Sequence, residues 1–89
     1  MIKFEIERIE ETEEIIWLVR YDEYVVSIRE SDINFDKLYT DYIHIENIDY
    51  IYDVLGEEEA ERVYYVFETI EKEVIKGIKR EIEGAAHSH

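Results

Sequence analysis

Ile15-Ile16-Trp17-Leu18-Val19-Arg20-Tyr21-Asp22-Glu23-Tyr24-Val25-Val26-Ser27-Ile28-Arg29 contains two largely apolar runs on either side of the charged pair Asp22-Glu23. Ile15 to Val19 is apolar on both faces, as a central strand requires, whereas Tyr24 to Arg29 alternates with the period of a half-buried strand. If Asp22-Glu23 is a two-residue loop, Tyr21 faces Tyr24, Val19 faces Val26 and Trp17 faces Ile28. The stretch therefore reads as a β-hairpin.

Upstream, Ile2-Lys3-Phe4-Glu5-Ile6-Glu7 alternates in the same way and supplies a third strand. A four-residue loop from Glu10 to Glu13 would set Phe4 opposite Val19 and Ile6 opposite Trp17. The two hairpins then agree on one apolar face: Ile2, Phe4, Ile6, Ile15, Trp17, Val19, Tyr21, Tyr24, Val26 and Ile28. A slip of one residue would mix Glu5 and Glu7 into it. The other face carries Ile16, Leu18 and Val25 among Lys3, Glu5, Glu7, Arg20 and Arg29, so its apolar groups call for a cover such as a second subunit.

Downstream, Ser31 to Asp36 is polar and turn-like. Tyr39 to Ile45 is β-branched and aromatic and is expected to form a fourth strand, with a helix start as the alternative over residues 37–45. From Asn47 the period changes. Ile48, Ile51, Tyr52 and Leu55 have helical spacing, with Asn47 as N-cap and Gly56 as a left-handed stop. A long helix follows, with Glu57-Glu58-Glu59 at its positive end and Lys76, Lys79 and Arg80 near its negative end. Its stripe is Ala60, Val63, Tyr64, Phe67, Ile70, Val74, Ile78 and Ile82. Roughly 27 residues span about 40 Å, longer than a small sheet is wide. That excess predicts a homodimer, with Ile16, Leu18, Val25, Val74, Ile78 and Ile82 at the interface. Gly77 inside the helix marks close packing, a kink or a weakly constrained position.

The expected architecture is α+β: a three- or four-stranded antiparallel meander, a short helix, and a long amphipathic helix on one sheet face. Residues 1–83 form the single domain, and 84–89 are expected to be a disordered tail or cloning scar.

Composition limits function more than it defines it. The chain has 89 residues, no cysteine, no proline and a formal net charge of −14. Without cysteine there is no disulfide and no thiolate metal site. No run of apolar residues is long enough to span a membrane, Glu5 and Glu7 interrupt any signal sequence, and a cytoplasmic location is the default. No Gln, two Asn and abundant Glu, Ile and Tyr fit a thermophile, or an AT-rich mesophile or phage genome.

Motifs for chemistry are absent. The glycines form no phosphate loop, and Ser27 or Ser31 with His44 makes no supported triad. His44 reads as a strand residue on the polar face, and His87 with His89 as an adventitious pair of metal ligands in the tail. Carboxylates are too numerous for any pair to stand out as acid and base. The expectation is no enzyme, no cofactor and no resident metal.

Between Asp22 and Asp53, nine acidic residues stand against two basic ones. Tyrosines lie among those acids, which nominates Asp22, Glu23, Tyr24, Asp41, Tyr42, Asp49, Tyr50 and Asp53 as protein-interaction residues. Such a surface suits a basic partner and repels nucleic acid and anionic membrane. The expected function is a non-catalytic interaction module, in its sharper form a phage- or virus-type inhibitor that mimics nucleic acid. The alternative is a ligand-binding or enzymatic subunit with a pocket between sheet and helix.

Overall fold

A computed structural model describes residues 2–87 and shows the expected α+β architecture. Strand β2 (Glu14–Tyr21) and strand β3 (Tyr24–Arg29) form the central hairpin, with Tyr21 opposite Tyr24, Val19 opposite Val26 and Trp17 opposite Ile28. Strand β1 (Glu5–Glu11) pairs antiparallel with β2, but in a register two residues from the expected one: Ile6 faces Val19, Arg8 faces Trp17 and Glu11 faces Glu14. The loop is Thr12-Glu13, not Glu10 to Glu13. Two-residue loops match the twist of paired strands, and Thr12 accepts a left-handed φ of 49° to make one. Because side chains repeat every second residue, a two-residue shift keeps the same face inward. It also extends the hairpin, placing Arg8 and Glu10 on the strand, where they pair at 2.6 Å.

The expected fourth strand is broken in two. Strand β5 (Tyr39–Thr40) pairs with strand β4 (Ile33–Asn34) in a separate small sheet. Strand β6 (His44–Ile45) joins the main sheet, giving the order β1-β2-β3-β6. The bend between β4 and β5 is built locally: Asn34 accepts from the amide of Lys37 through its side chain and from that of Leu38 through its carbonyl. His44 sits opposite Ser27 and is exposed, as expected of a residue on the outer face.

After β6, Asn47 takes φ 60° and makes no side-chain cap, in contrast to the sequence reading. Helix α1 (Ile48–Tyr50) passes into a π-helical turn, Ile51–Leu55, closed by the Gly56 amide donating to the Ile51 carbonyl at 2.9 Å. A wider turn rotates side chains away from a 3.6-residue face. Ile51 is therefore buried and Ile48 half-buried, while Tyr52 and Leu55, expected on the same face, are exposed. Gly56 has φ 103° and ψ 162°, a conformation open to glycine rather than the helical left-handed stop.

Helix α2 (Glu57–His87) has 31 residues, about 46 Å at ~1.5 Å per residue, and sets the molecule's longest dimension of 47 Å. It lies on the apolar sheet face. Trp17, Val19, Tyr21, Val26 and Ile28 from the sheet are buried with Ala60, Val63, Phe67, Ile70, Val74 and Ile78 from α2. Ile2, Phe4, Ile6, Ile15 and Tyr24 pack around them half-buried, so all ten residues of the expected face contribute. Ile75 is also buried; a core-facing helix buries a wider stripe than the narrow seam read from the sequence.

Two corrections concern self-association. Val74 and Ile78, expected at a dimer interface, are fully buried within one chain. The helix does outrun the sheet, but residues 79–85 are exposed and Ile82 is the only large apolar side chain among them. The apolar stripe ends almost where the sheet does, so the overhang has little left to cover. On the outer face, Ile16, Leu18 and Val25 are half-buried rather than exposed. Cross-strand pairs Arg20–Glu7 at 2.8 Å and Arg29–Glu14 at 3.9 Å flank them, and long side chains of this kind shield apolar neighbours with their stems.

The helix continues through Gly84 to His87, where the sequence reading places a disordered tail. Ser88 and His89, and with them the His87/His89 pair, lie outside the described residues. Among those residues no helix is long and apolar enough to cross a membrane.

Candidate interaction surface

The nominated residues divide into three groups. Asp22 and Glu23 form the β2–β3 loop, with Asp22 at φ 51° and both side chains exposed. Tyr24, next to them, is committed to the fold instead. Its hydroxyl donates to the Glu59 carboxylate on α2, and Glu59 also accepts from Arg62 at 3.2 Å. The hydrogen bond to Glu59, and secondarily burial, holds the Tyr24 phenol above the usual tyrosine range. Beside it, buried Tyr21 donates to the Val63 carbonyl at 2.9 Å, and burial pushes its phenol up further. The two rings meet at 6.0 Å with a tilt of 60°, and the two hydroxyl bonds tie the hairpin tip to the first turns of α2.

Asp41 and Tyr42 follow β5. Thr40 fixes this segment: its amide donates to Glu71 on α2 at 3.2 Å, and its hydroxyl lies 3.1 Å from the Tyr42 carbonyl. Tyr42 stands 58% exposed on the rim of a shallow depression whose helical wall includes Tyr64, Phe67 and Glu68. Asp49, Tyr50 and Asp53 lie on α1 and the π turn, with both acids exposed and Tyr50 also 58% exposed.

Burial brings out residues that the sequence reading passed over, and it corrects one: Tyr64, expected on the apolar stripe of α2, is 40% exposed. Among the described residues, every exposed large apolar side chain except Ile82 falls between Tyr39 and Tyr65. Tyr52, Val54 and Leu55 join Tyr50 there, and Tyr64 and Tyr65 join from α2, with Tyr65 at 68% exposure. For Tyr65 the signal was present, because it lies off the stripe that runs through Val63 and Phe67. The signal for the others was hidden by the π turn.

Asp22, Glu23, Asp41, Asp49 and Asp53 take part in no ion pair among the described residues; Arg29 is held by Asp32 at 3.0 Å. No three His, Asp or Glu side chains among those residues converge to hold a metal ion. A groove of about 920 Å³ lies between the start of the chain and α2, lined by Ile2, Phe4 and Ile70 with Thr69, Glu73 and Arg80. Comparison with family models, with curated proteins and with solved structures finds no match to this chain.

Proposed function

We propose that the chain is a non-catalytic protein-interaction module whose acidic, tyrosine-bearing surface between Tyr39 and Tyr65 receives a basic partner. One observation carries the reading: Tyr42 and Tyr50 stand mostly exposed beside Asp41, Asp49 and Asp53, carboxylates with no ion pair among the described residues. Exposed tyrosines offer large apolar area with a polar tip at low conformational cost, and they are enriched among residues that dominate binding energy. Unpaired carboxylates steer a basic partner and raise its association rate. In the finer form of the reading, those carboxylates stand in for phosphates, and the chain is an inhibitor occupying a nucleic-acid-binding groove.

Self-association is no longer needed by this reading, because the core closes within one chain. The alternative of a ligand pocket between sheet and helix is favoured by one feature, the groove beside Ile2 and Phe4.

The test is capture from an extract of the source cells by the immobilised chain and by a Tyr42→Ala/Tyr50→Ala variant. The expected result is a basic protein retained by the native surface, lost from the variant, and released by salt or by added duplex DNA. Equal retention by both forms would refute the surface; release by salt but not DNA would refute the mimicry alone.

A further inference from the structure

We propose that β1 is a docking edge for an extended basic segment of another protein, added to the main sheet as a further strand. This goes beyond the tyrosine-bearing surface and stands independently of it. In the order β1-β2-β3-β6 the outer strands are β1 and β6. Strand β6 has two residues and β1 has seven, so β1 is the one long row of backbone donors and acceptors on a free side of this sheet. The groove of about 920 Å³ begins at its N-terminal end, between residues 2–5 and α2. A strand laid along β1 would send alternate side chains toward α2, where Ile2, Phe4 and Ile70 form an apolar floor. Its other side chains would stand beside Glu5, Glu7 and Glu11 on the outer face.

Charge selects the occupant. Of the six carboxylates from Glu5 to Glu14, Glu7, Glu10 and Glu14 are paired with Arg20, Arg8 and Arg29, and Glu5, Glu11 and Glu13 have no ion pair among the described residues. Two copies joined through β1 would set carboxylates against carboxylates, in a chain that already carries −14. Like charges across strands oppose pairing, and charged edges block self-association in this way. The same row favours Lys and Arg directly opposite. The segment that fits alternates apolar residues, facing the groove, with Lys or Arg facing the outer side. Strand addition gives affinity through main-chain hydrogen bonds and selectivity through alternate side chains.

The probe is a synthetic Lys-Val-Lys-Val-Lys-Leu-Lys peptide titrated into isotope-labelled protein and followed by amide spectra and hydrogen exchange. Alternate amides of β1 are expected to become protected, with affinity falling as salt rises. Two peptides N-methylated on complementary alternate residues separate strand addition from charge attraction. One set should weaken binding by more than about tenfold, through lost backbone hydrogen bonds, and the other by less than about twofold. Glu5→Lys/Glu11→Lys, which alters only exposed side chains, should weaken it by about tenfold. Equal binding of the two methylated peptides, or spectral changes confined to residues 39–65, would overturn the proposal. So would concentration-dependent protection of β1 without peptide, which would identify a second copy as the occupant.

Discussion

Three residues show how local chemistry decides position. Tyr21 and Tyr24 read alike in the sequence, yet neither is free: each hydroxyl is bound to α2, one to a carbonyl and one to a carboxylate. Both phenols are shifted upward, so folding favours their neutral forms. Stability from this source is complete below the unfolded tyrosine value of about 10, and is lost as pH rises through the higher folded values. Thermal melting followed to alkaline pH should fall above about pH 10, and Tyr21→Phe should reduce that fall. At neutral pH the same substitution should cost about 1 kcal/mol for the lost hydrogen bond. Gly77 is the third. A methyl group there would meet Ile6 at 3.5 Å, an ordinary contact, so close packing does not require glycine. Gly77→Ala should raise stability by about 0.5–1 kcal/mol in urea unfolding. A loss would mean that the helix and β1 are closer than this contact implies.

Elements with strict periods were legible, and elements set by turn geometry were not. The β2–β3 register followed from the two-residue Asp22-Glu23 loop, and the inward face from alternation, which any even shift of β1 preserves. The β1 register was missed by two residues because Glu-Thr-Glu-Glu carries no hairpin signal, and Thr12 bears the left-handed position without glycine or asparagine. Thr12→Gly should therefore stabilise the hairpin by several tenths of a kcal/mol, measured by the same unfolding. The π turn was invisible to a 3.6-residue template, and it is what leaves Tyr52 and Leu55 exposed. Of the nominated surface, Tyr24 is bonded to Glu59 within the fold, while Asp22, Glu23, Asp41, Tyr42, Asp49, Tyr50 and Asp53 are exposed. On α2 the decisive contrast is Ile78 with Ile82. The first is fully buried and the second 36% exposed, so Ile78→Ala should cost about 2–5 kcal/mol and Ile82→Ala less than about 0.5. Comparable costs at both positions would show that the overhang is covered.

At the scale of the molecule, a core closed by one sheet face and one helix leaves charge and exposed tyrosine as the features facing outward. A closed core and a charge of −14 predict a monomer of 10.8 kDa by light scattering at low salt. A mass of twice that value would restore the dimer and place its interface elsewhere than Val74 and Ile78. Screening at high salt shortens the range of the charges to a few ångströms, so partner binding should weaken there while the fold persists. Site-specific photo-cross-linking in source-cell extract tests the interaction surface most directly, with the reactive group placed in turn at Tyr42, Tyr50 and, as a control, Glu83. One basic protein is expected to be joined from Tyr42 and Tyr50 at low salt, lost at high salt and absent from Glu83. The same adduct from all three positions, or none from Tyr42 and Tyr50, would contradict it.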